Sequence, residues 1–495
     1  MSKPRRVAFL HYHLRGGGVT RVIEHAVESL HNNKIQSAVV CGEKPSHTHL
    51  SHIIINEKLA YEKTISVTEI GQLFKEIEHS VSQELGGKPD LWHIHNHHLG
   101  KNQVLPLLVK YMAKQNIPLL LQLHDFPEDG RPQNYQYLLN AFKGPSMNIQ
   151  NIGEILYPFG PHIFYGTLNR KDYRFLHQSG IPESHLRLIP NAVKLSIEKT
   201  RSNNKRALPE EDYKRLILYP TRAIRRKNIG EFLLHALLSQ KGDRYAVTLS
   251  PKNPRNKPRY DRWVAFSETL SLPVSFEAGK KSPLSFPQLL SAADLIMTTS
   301  IAEGFGLAFL EPWLAETPLY GRNLPDITDD FTNDDIQLNT LYNRFNIPLK
   351  WIDQDVLENK IRNSLRKVYQ NYDKELTDEQ IESAFISFVD ENKEVDFGRL
   401  DEPLQEQIIL KLFKNPDLKE ELRSFSDCSG VFDRDLLTHN KQIIEEKYNL
   451  HQYGERLITI YDSLLEQKAG KLEYIDAGIL LDQFLDPARF NLLRT

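Results

Sequence analysis

Ser300-Ile301-Ala302-Glu303-Gly304-Phe305-Gly306-Leu307-Ala308-Phe309-Leu310-Glu311-Pro312-Trp313 is the stretch whose reading decides the fold. Ala293 to Thr299 before it is a short apolar run with the length of a buried strand, and the apolar segment after it reads as a helix. Strand, glycine turn and helix start together favour an anion. Gly304 and Gly306 let a ligand approach bare amides, and the unpaired N–H groups of a first helical turn favour negative charge. Two carboxylates flank the turn. Their spacing is slightly over two helical turns, so Glu311 is expected beneath the loop on nearly the face that Glu303 opens. That pattern suits a ligand with hydroxyls on both sides of a diphosphate, as in a nucleotide sugar. A buried turn with one N-terminal and one solvated glutamate is the plainer alternative.

A chain of 495 residues is too long for one ordinary core, so two or more domains are expected. With 40% hydrophobic and 25% charged residues it has a soluble globular composition. The formal charge of −2 gives no reason to expect nucleic acid. Cys41 and Cys428 are too few for a disulfide framework. The basic start is followed by only a short apolar run, less than a signal peptide needs, and no later stretch has the length of a membrane span. A cytoplasmic protein is expected.

Val7 to Leu10 reads as a strand, His11 to Arg21 as a loop carrying Gly16, Gly17 and Gly18, and Val22 to Leu30 as a helix. This β-loop-α start is the usual opening of a doubly wound sheet, although the full G-x-G-x-x-G pattern is missing. Further strands are predicted over 37–40, 91–95, 118–123, 163–168 and 187–193. His93, His95 and His97 share one face of an extended strand. No cysteine or carboxylate cluster completes a shell there, so a polar strand end is expected and no metal. His95, Asn96, His124 and Asp125 stand at carboxyl ends of strands, where open parallel sheets gather ligands. His124 can contact a hydroxyl or move a proton, or be a satisfied structural histidine.

Lys194 to Lys214 reads as a polar linker. A second series of strands follows over 215–220, 245–250, 274–276, 293–299 and 318–326. Arg222, Arg225, Arg226 and Lys227 crowd the junction between the first of these and a helix through Leu238. Such a cluster clamps phosphate or is a solvated basic turn. From Asp329 the text turns charged and helical, with helices predicted over 356–372, 379–389, 404–413 and 441–466. Asp329, Asp330, Asp334 and Asp335 read as a solvated loop.

Gly16 to Gly18, His124-Asp125, Ile189-Pro190-Asn191-Ala192-Val193, Arg222 with Lys227 five positions on, and Glu303 to Glu311 as E-x7-E stand together in this order. On these motifs the chain resembles the retaining GT-B glycosyltransferases of family 4, over residues 5–327 and 440–467. The resemblance implies an α/β fold of two Rossmann-like doubly wound domains. The two are 1–200 on the acceptor side and 211–440 holding the donor and including a helical insertion at about 330–440; 441–495 follows as a helix crossing back toward the first domain plus a tail. It implies that Arg222 and Lys227 bind the donor diphosphate, Glu311 the ribose and Glu303 the hexose. Phe305, Gly306 and Leu307 would supply backbone amides, Gly17 and Gly18 would lie beside the diphosphate, and His124 would reach the transferred sugar or the acceptor, with His95, Asn96 and Asp125 on the acceptor side. Its catalytic set is then His124, Arg222, Lys227 and Glu303.

The expected reaction moves a hexose from a nucleoside diphosphate sugar to a hydroxyl of a small polar or saccharide acceptor, without cofactor or metal. Alternatives on the same fold are a nucleotide-sugar-binding protein without turnover, a sugar-nucleotide epimerase and a phosphorylase. Two departures from the family concern loop geometry: Glu316-Thr317-Pro318 replaces a Gly-x-Pro turn, and Ala192 stands where glycine is common.

Overall fold

Leu91 to His95 and Leu119 to Leu123 are buried at every position, as strands covered on both faces must be. In the computed structural model, which describes residues 6–45, 48–142, 151–195, 207–209, 211–423 and 433–494, such runs assemble into two parallel sheets. The first contains β1 (Arg6–Leu10), β2 (Gln36–Cys41), β3 (Ile53–Ile55), β4 (Leu91–His95) and β5 (Leu119–Leu123). Beyond the short β6 (Pro158–Phe159) it continues with β7 (Ile163–Thr167) and β8 (Leu186–Leu188). Its spatial order is β3-β2-β1-β4-β5-β7-β8. The second contains β9 (Arg215–Arg222), β10 (Asp243–Leu249), β11 (Val274–Ser275), β12 (Leu295–Thr298), β13 (Leu319–Arg322) and β14 (Leu341–Tyr342), in the order β11-β10-β9-β12-β13-β14. Each order reverses once, between β1 and β4 and between β9 and β12. Beyond those carboxyl ends lies the crevice where doubly wound sheets bind ligands.

The chain divides into two compact units. The first holds residues 1–192, 370–374 and 448–486, and the second holds 193–369, 375–447 and 487–495. The predicted linker 194–214 falls largely outside the described residues. In the first unit the Gly18–Asn32 helix turns Ile23, Ala26 and Leu30 inward at helical spacing. They pack on Tyr453, Leu457, Tyr461 and Leu464 of the Leu450–Leu465 helix. The same returning segment adds β17 (Glu473–Tyr474), which pairs antiparallel with β6.

In the second unit β15 (Asn346–Pro348) and β16 (Glu394–Asp396) form an antiparallel pair, and the helices Gln354–Asn371, Asp378–Phe388 and Glu402–Lys414 accompany it. Arg322, at the end of β13, is buried and ion-paired to Glu231 and to Asp396. That pairing fixes the β15–β16 segment to the second sheet.

Three expectations change. The helix predicted over 441–466 is two, Arg434–Lys447 and Leu450–Leu465, because the Asn449 side chain caps the second by accepting from the Gln452 amide. Asp329 and Asp330 lie on the Pro325–Asn333 helix, not in a loop. The Gly16–Gly18 loop is shorter than expected, since the first helix already begins at Gly18.

Candidate functional site

β9 and β12 are neighbours at the reversal of the second sheet, so the turns that leave them meet. β9 ends at Arg222 and leads to the 3-10 turn Arg225–Lys227, while β12 leads to the loop holding Glu303. Backbone and hydroxyl hydrogen bonds lace the two turns. The Ile301 amide donates to the Arg226 carbonyl at 2.9 Å, and Thr299 Oγ1 donates to the carbonyls of Lys227 and Asn228, both at 3.1 Å. Tyr219 Oη also reaches the Lys227 carbonyl.

This lacing brings Lys227 Nζ onto Glu303 Oε1, and Arg226 Nη1 within 2.7 Å of Glu303 Oε2. Burial pushes the Glu303 carboxyl up, but Lys227 and then Arg226 overcome it and hold the group at about 2. Glu303 is therefore a charged acceptor and not a proton donor. Burial lowers Lys227, against the pull of Glu303.

The glycine loop differs from the sequence expectation. Gly306 adopts φ 95°, and a Cβ there would lie 2.8 Å from Ile327 Cγ2 and 2.9 Å from Phe309 Cδ2, so both angle and space demand glycine. Phe305 is buried edge-on against Phe331, with ring centroids 5.5 Å apart. The expected helix beneath the loop is absent: Leu307–Phe309 is a 3-10 turn, and Glu311 opens a helix of only four residues, Glu311–Leu314. So short a helix contributes little dipole, and the fixed charge at this junction comes from side chains. Glu316, which stands at the first position of the Glu316-Thr317-Pro318 turn, takes φ 56°, a left-handed angle that ordinarily favours glycine.

Arg222 stands at the end of β9 and donates to the Ser250 carbonyl at 2.9 Å. Arg225 faces the other way, gripping Glu402 with two hydrogen bonds of 2.7 and 2.8 Å. Arg226 is the member of the basic cluster that the E-x7-E and Arg–Lys spacing did not single out. Its contact with Glu303 depends on the neighbouring strands, not on spacing along the chain.

In the first unit, Asn96 follows β4 with φ 52° and uses its Oδ1 to accept from the amides of His124, at 2.7 Å, and Asp125. Asn96 is a clamp on the loop after β5. His124 Nε2 lies 2.9 Å from His95 Nδ1, and burial pushes His124 down to about 3. A neutral imidazole suits hydrogen bonding better than proton transfer.

His93 and His95 are fully buried, with His93 bonded to Tyr461 Oη and Gln122 Oε1. The expected polar strand end is thus interior, sealed by the returning helix. Asp125 pairs with Arg131. Gly17 is extended, and Gly16 to Gly18 stand exposed, where an added Cβ would meet nothing closer than the Arg15 carbonyl, 3.8 Å from one on Gly17. Among the described residues no group of three or more His, Cys, Asp and Glu is arranged to hold a metal ion, and no helix is long and apolar enough to cross a membrane.

The chain is 28% identical over 488 residues to the mannosylglucosyl-3-phosphoglycerate synthase of Petrotoga mobilis, an alignment spanning 92% of this chain and 90% of that protein. No family model matches it. Among solved structures it is similar to Anabaena HepE in complex with UDP and glucose (TM-score 0.53, 12% identity, 93% of this chain and 100% of that one). It is also similar to the sucrose-phosphate synthase of Thermosynechococcus elongatus (0.52, 14%, 93% and 99%) and a glycosyltransferase of Rickettsia africae (0.53, 14%, 94% and 100%). With two doubly wound parallel sheets and these likenesses across nearly its whole length, the chain has the GT-B glycosyltransferase fold.

Proposed function

We propose that this protein is a nucleotide-sugar-dependent glycosyltransferase that moves a hexose to a hydroxyl of a small anionic saccharide, with retention of anomeric configuration. The observation that carries this reading is the meeting of Lys227, Arg226 and Glu303 at the reversal of the second sheet. An incoming diphosphate competes with Glu303 for the two cations, and the carboxylate it displaces is then free to accept from hexose hydroxyls. Arg222 and Lys227 neutralise the charge that develops on the departing diphosphate.

Glu311 takes the ribose, and the Phe305, Gly306 and Leu307 amides take sugar and phosphate oxygens. Gly17 and Gly18 admit the diphosphate, and His124 hydrogen-bonds the sugar or the acceptor, with His95, Asn96 and Asp125 on the acceptor side. No metal or cofactor has a role in this reading. The HepE structure with UDP and glucose supports a nucleotide-sugar donor. The product named for the Petrotoga relative, a disaccharide on 3-phosphoglycerate, supports a small anionic acceptor.

The test is to incubate the purified protein with UDP-, GDP- and ADP-sugars, with and without glucosyl-3-phosphoglycerate, and to measure free nucleoside diphosphate. Acceptor-dependent release is expected from at least one donor. Release from none would reduce the protein to a nucleotide-sugar binder. Sugar phosphate formed on feeding inorganic phosphate would make it a phosphorylase, and an altered donor without acceptor an epimerase.

A further inference from the structure

The first sheet reverses between β1 and β4, and its own crevice lies beyond their carboxyl ends. Three of the residues that follow those strands carry basic side chains. His13 and Arg15 follow β1, Lys101 follows β4, and all three converge on the half-buried ring of Tyr61. His13 Nε2 is 2.8 Å from Tyr61 Oη. The Arg15 guanidinium carbon lies 5.6 Å from the ring centroid and Lys101 Nζ 5.4 Å from it.

The frame behind them is rigid. Tyr61 packs edge-on against buried Tyr12 at 5.6 Å, and Tyr12 Oη donates to the Asn96 and His97 carbonyls. The Asn102 amide ties the loop after β4 to the Leu59 and Ala60 carbonyls, and the Glu62 amide donates to the Lys101 carbonyl at 2.7 Å. A Cβ on Gly42 would fall 2.2 Å from the Ala60 nitrogen, so only glycine lets the chain pass this closely.

The charges do not cancel. Arg15 is paired with Glu43 and Arg131 with Asp125, while Lys101 has no ion-pair partner among the described residues. Burial, then the Arg131 charge, lowers the Lys101 ammonium, with the Asp125 carboxylate pulling the other way.

Resting on the transferase reading only for the identity of its ligand, we propose that His13, Arg15, Tyr61 and Lys101 form a subsite for an oxyanion, the phosphate or carboxylate of the acceptor. Lys101 supplies the point charge, Arg15 a planar fork, and His13 and Tyr61 adjustable donors.

The experiment measures thermal stabilisation by 3-phosphoglycerate and by glycerate for the full-length protein, Lys101→Met, which keeps the apolar stem, and Lys101→Arg. Stabilisation of the wild type by 3-phosphoglycerate is expected. Binding should weaken about tenfold or more in Lys101→Met and be partly restored in Lys101→Arg, with stabilisation by UDP or GDP unchanged. Glycerate acting as strongly as 3-phosphoglycerate assigns the subsite to carboxylate, and glycerate acting more weakly assigns it to phosphate. Equal binding to wild type and Lys101→Met, no stabilisation of the wild type, or loss of nucleotide stabilisation in Lys101→Met would each overturn the proposal. Absence of nucleoside diphosphate release from any donor, with 3-phosphoglycerate still stabilising the protein through Lys101, would sink the transferase reading and leave the subsite standing.

Discussion

A carboxyl held at about 2 carries its charge throughout the neutral range, so Glu303 meets a ligand only as an acceptor. Its partner Lys227 is then the group whose loss matters most: Lys227→Ala removes a buried cation from the proposed diphosphate site and leaves Glu303 with Arg226 alone. Turnover, read as nucleoside diphosphate release, should fall about a hundredfold or more. Arg226→Ala should cost less, because its side chain is 41% exposed against 11% for Lys227 and is screened by water. Equal, small losses in both would contradict the site. Lys227 and Glu303 each stand out in the sequence within their own motifs. Their pairing does not, because 76 residues separate them and only the adjacency of β9 and β12 brings them together. The left-handed Glu316 was hidden for a related reason, since its residue type gives no sign of glycine's angles.

The Glu402–Lys414 helix was legible as a helix but not in its role. It backs the basic turn: Glu402 grips Arg225, and the buried Gln405 amide donates at 2.8 Å to Oδ1 of Asn228, which closes that turn with φ 49°. Asn228 in turn donates to Glu231, the partner of Arg322. No motif marks Glu402 and Gln405 because each acts on a side chain 177 residues away. Gln405→Ala strips partners from Asn228 and from the Phe397 carbonyl. It should cost about 1–3 kcal/mol in chemical denaturation and lower activity at subsaturating donor. An unchanged denaturation midpoint would show that the helix does not brace the turn. The expected helix beneath Gly306 misread a 3-10 turn and a single α turn, which share its apolar spacing over so few residues.

The first unit buries a cluster of imidazoles. Burial holds His11, His93 and His124 at about 3 and His97 at about 4, and it drives His95 and His98 well below their ordinary value. Unfolded, each takes up a proton below about pH 6.5, while the folded protein stays neutral there. Stability is therefore fully present above that pH and drains away as pH falls toward 3, by at most about 1.4 kcal/mol per pH unit for each histidine. The urea midpoint should drop clearly between pH 7.5 and pH 5.5, and a flat midpoint would contradict the buried cluster. From the sequence, the alternating histidines after Leu91 read as a polar strand end facing a cleft. What encloses His93 is Tyr461, contributed from 368 residues further along.

That enclosure sets an order of events during synthesis. The ribosome releases the first 192 residues long before Tyr448 to Asp486 emerge, and until then the side of the Ile23, Ala26 and Leu30 stripe that meets Tyr453, Leu457 and Tyr461 has no cover. Trimming the chain after Lys447 would therefore not remove an appendage. It would leave the earliest-made unit of the protein permanently unfinished, with His93 stripped of Tyr461.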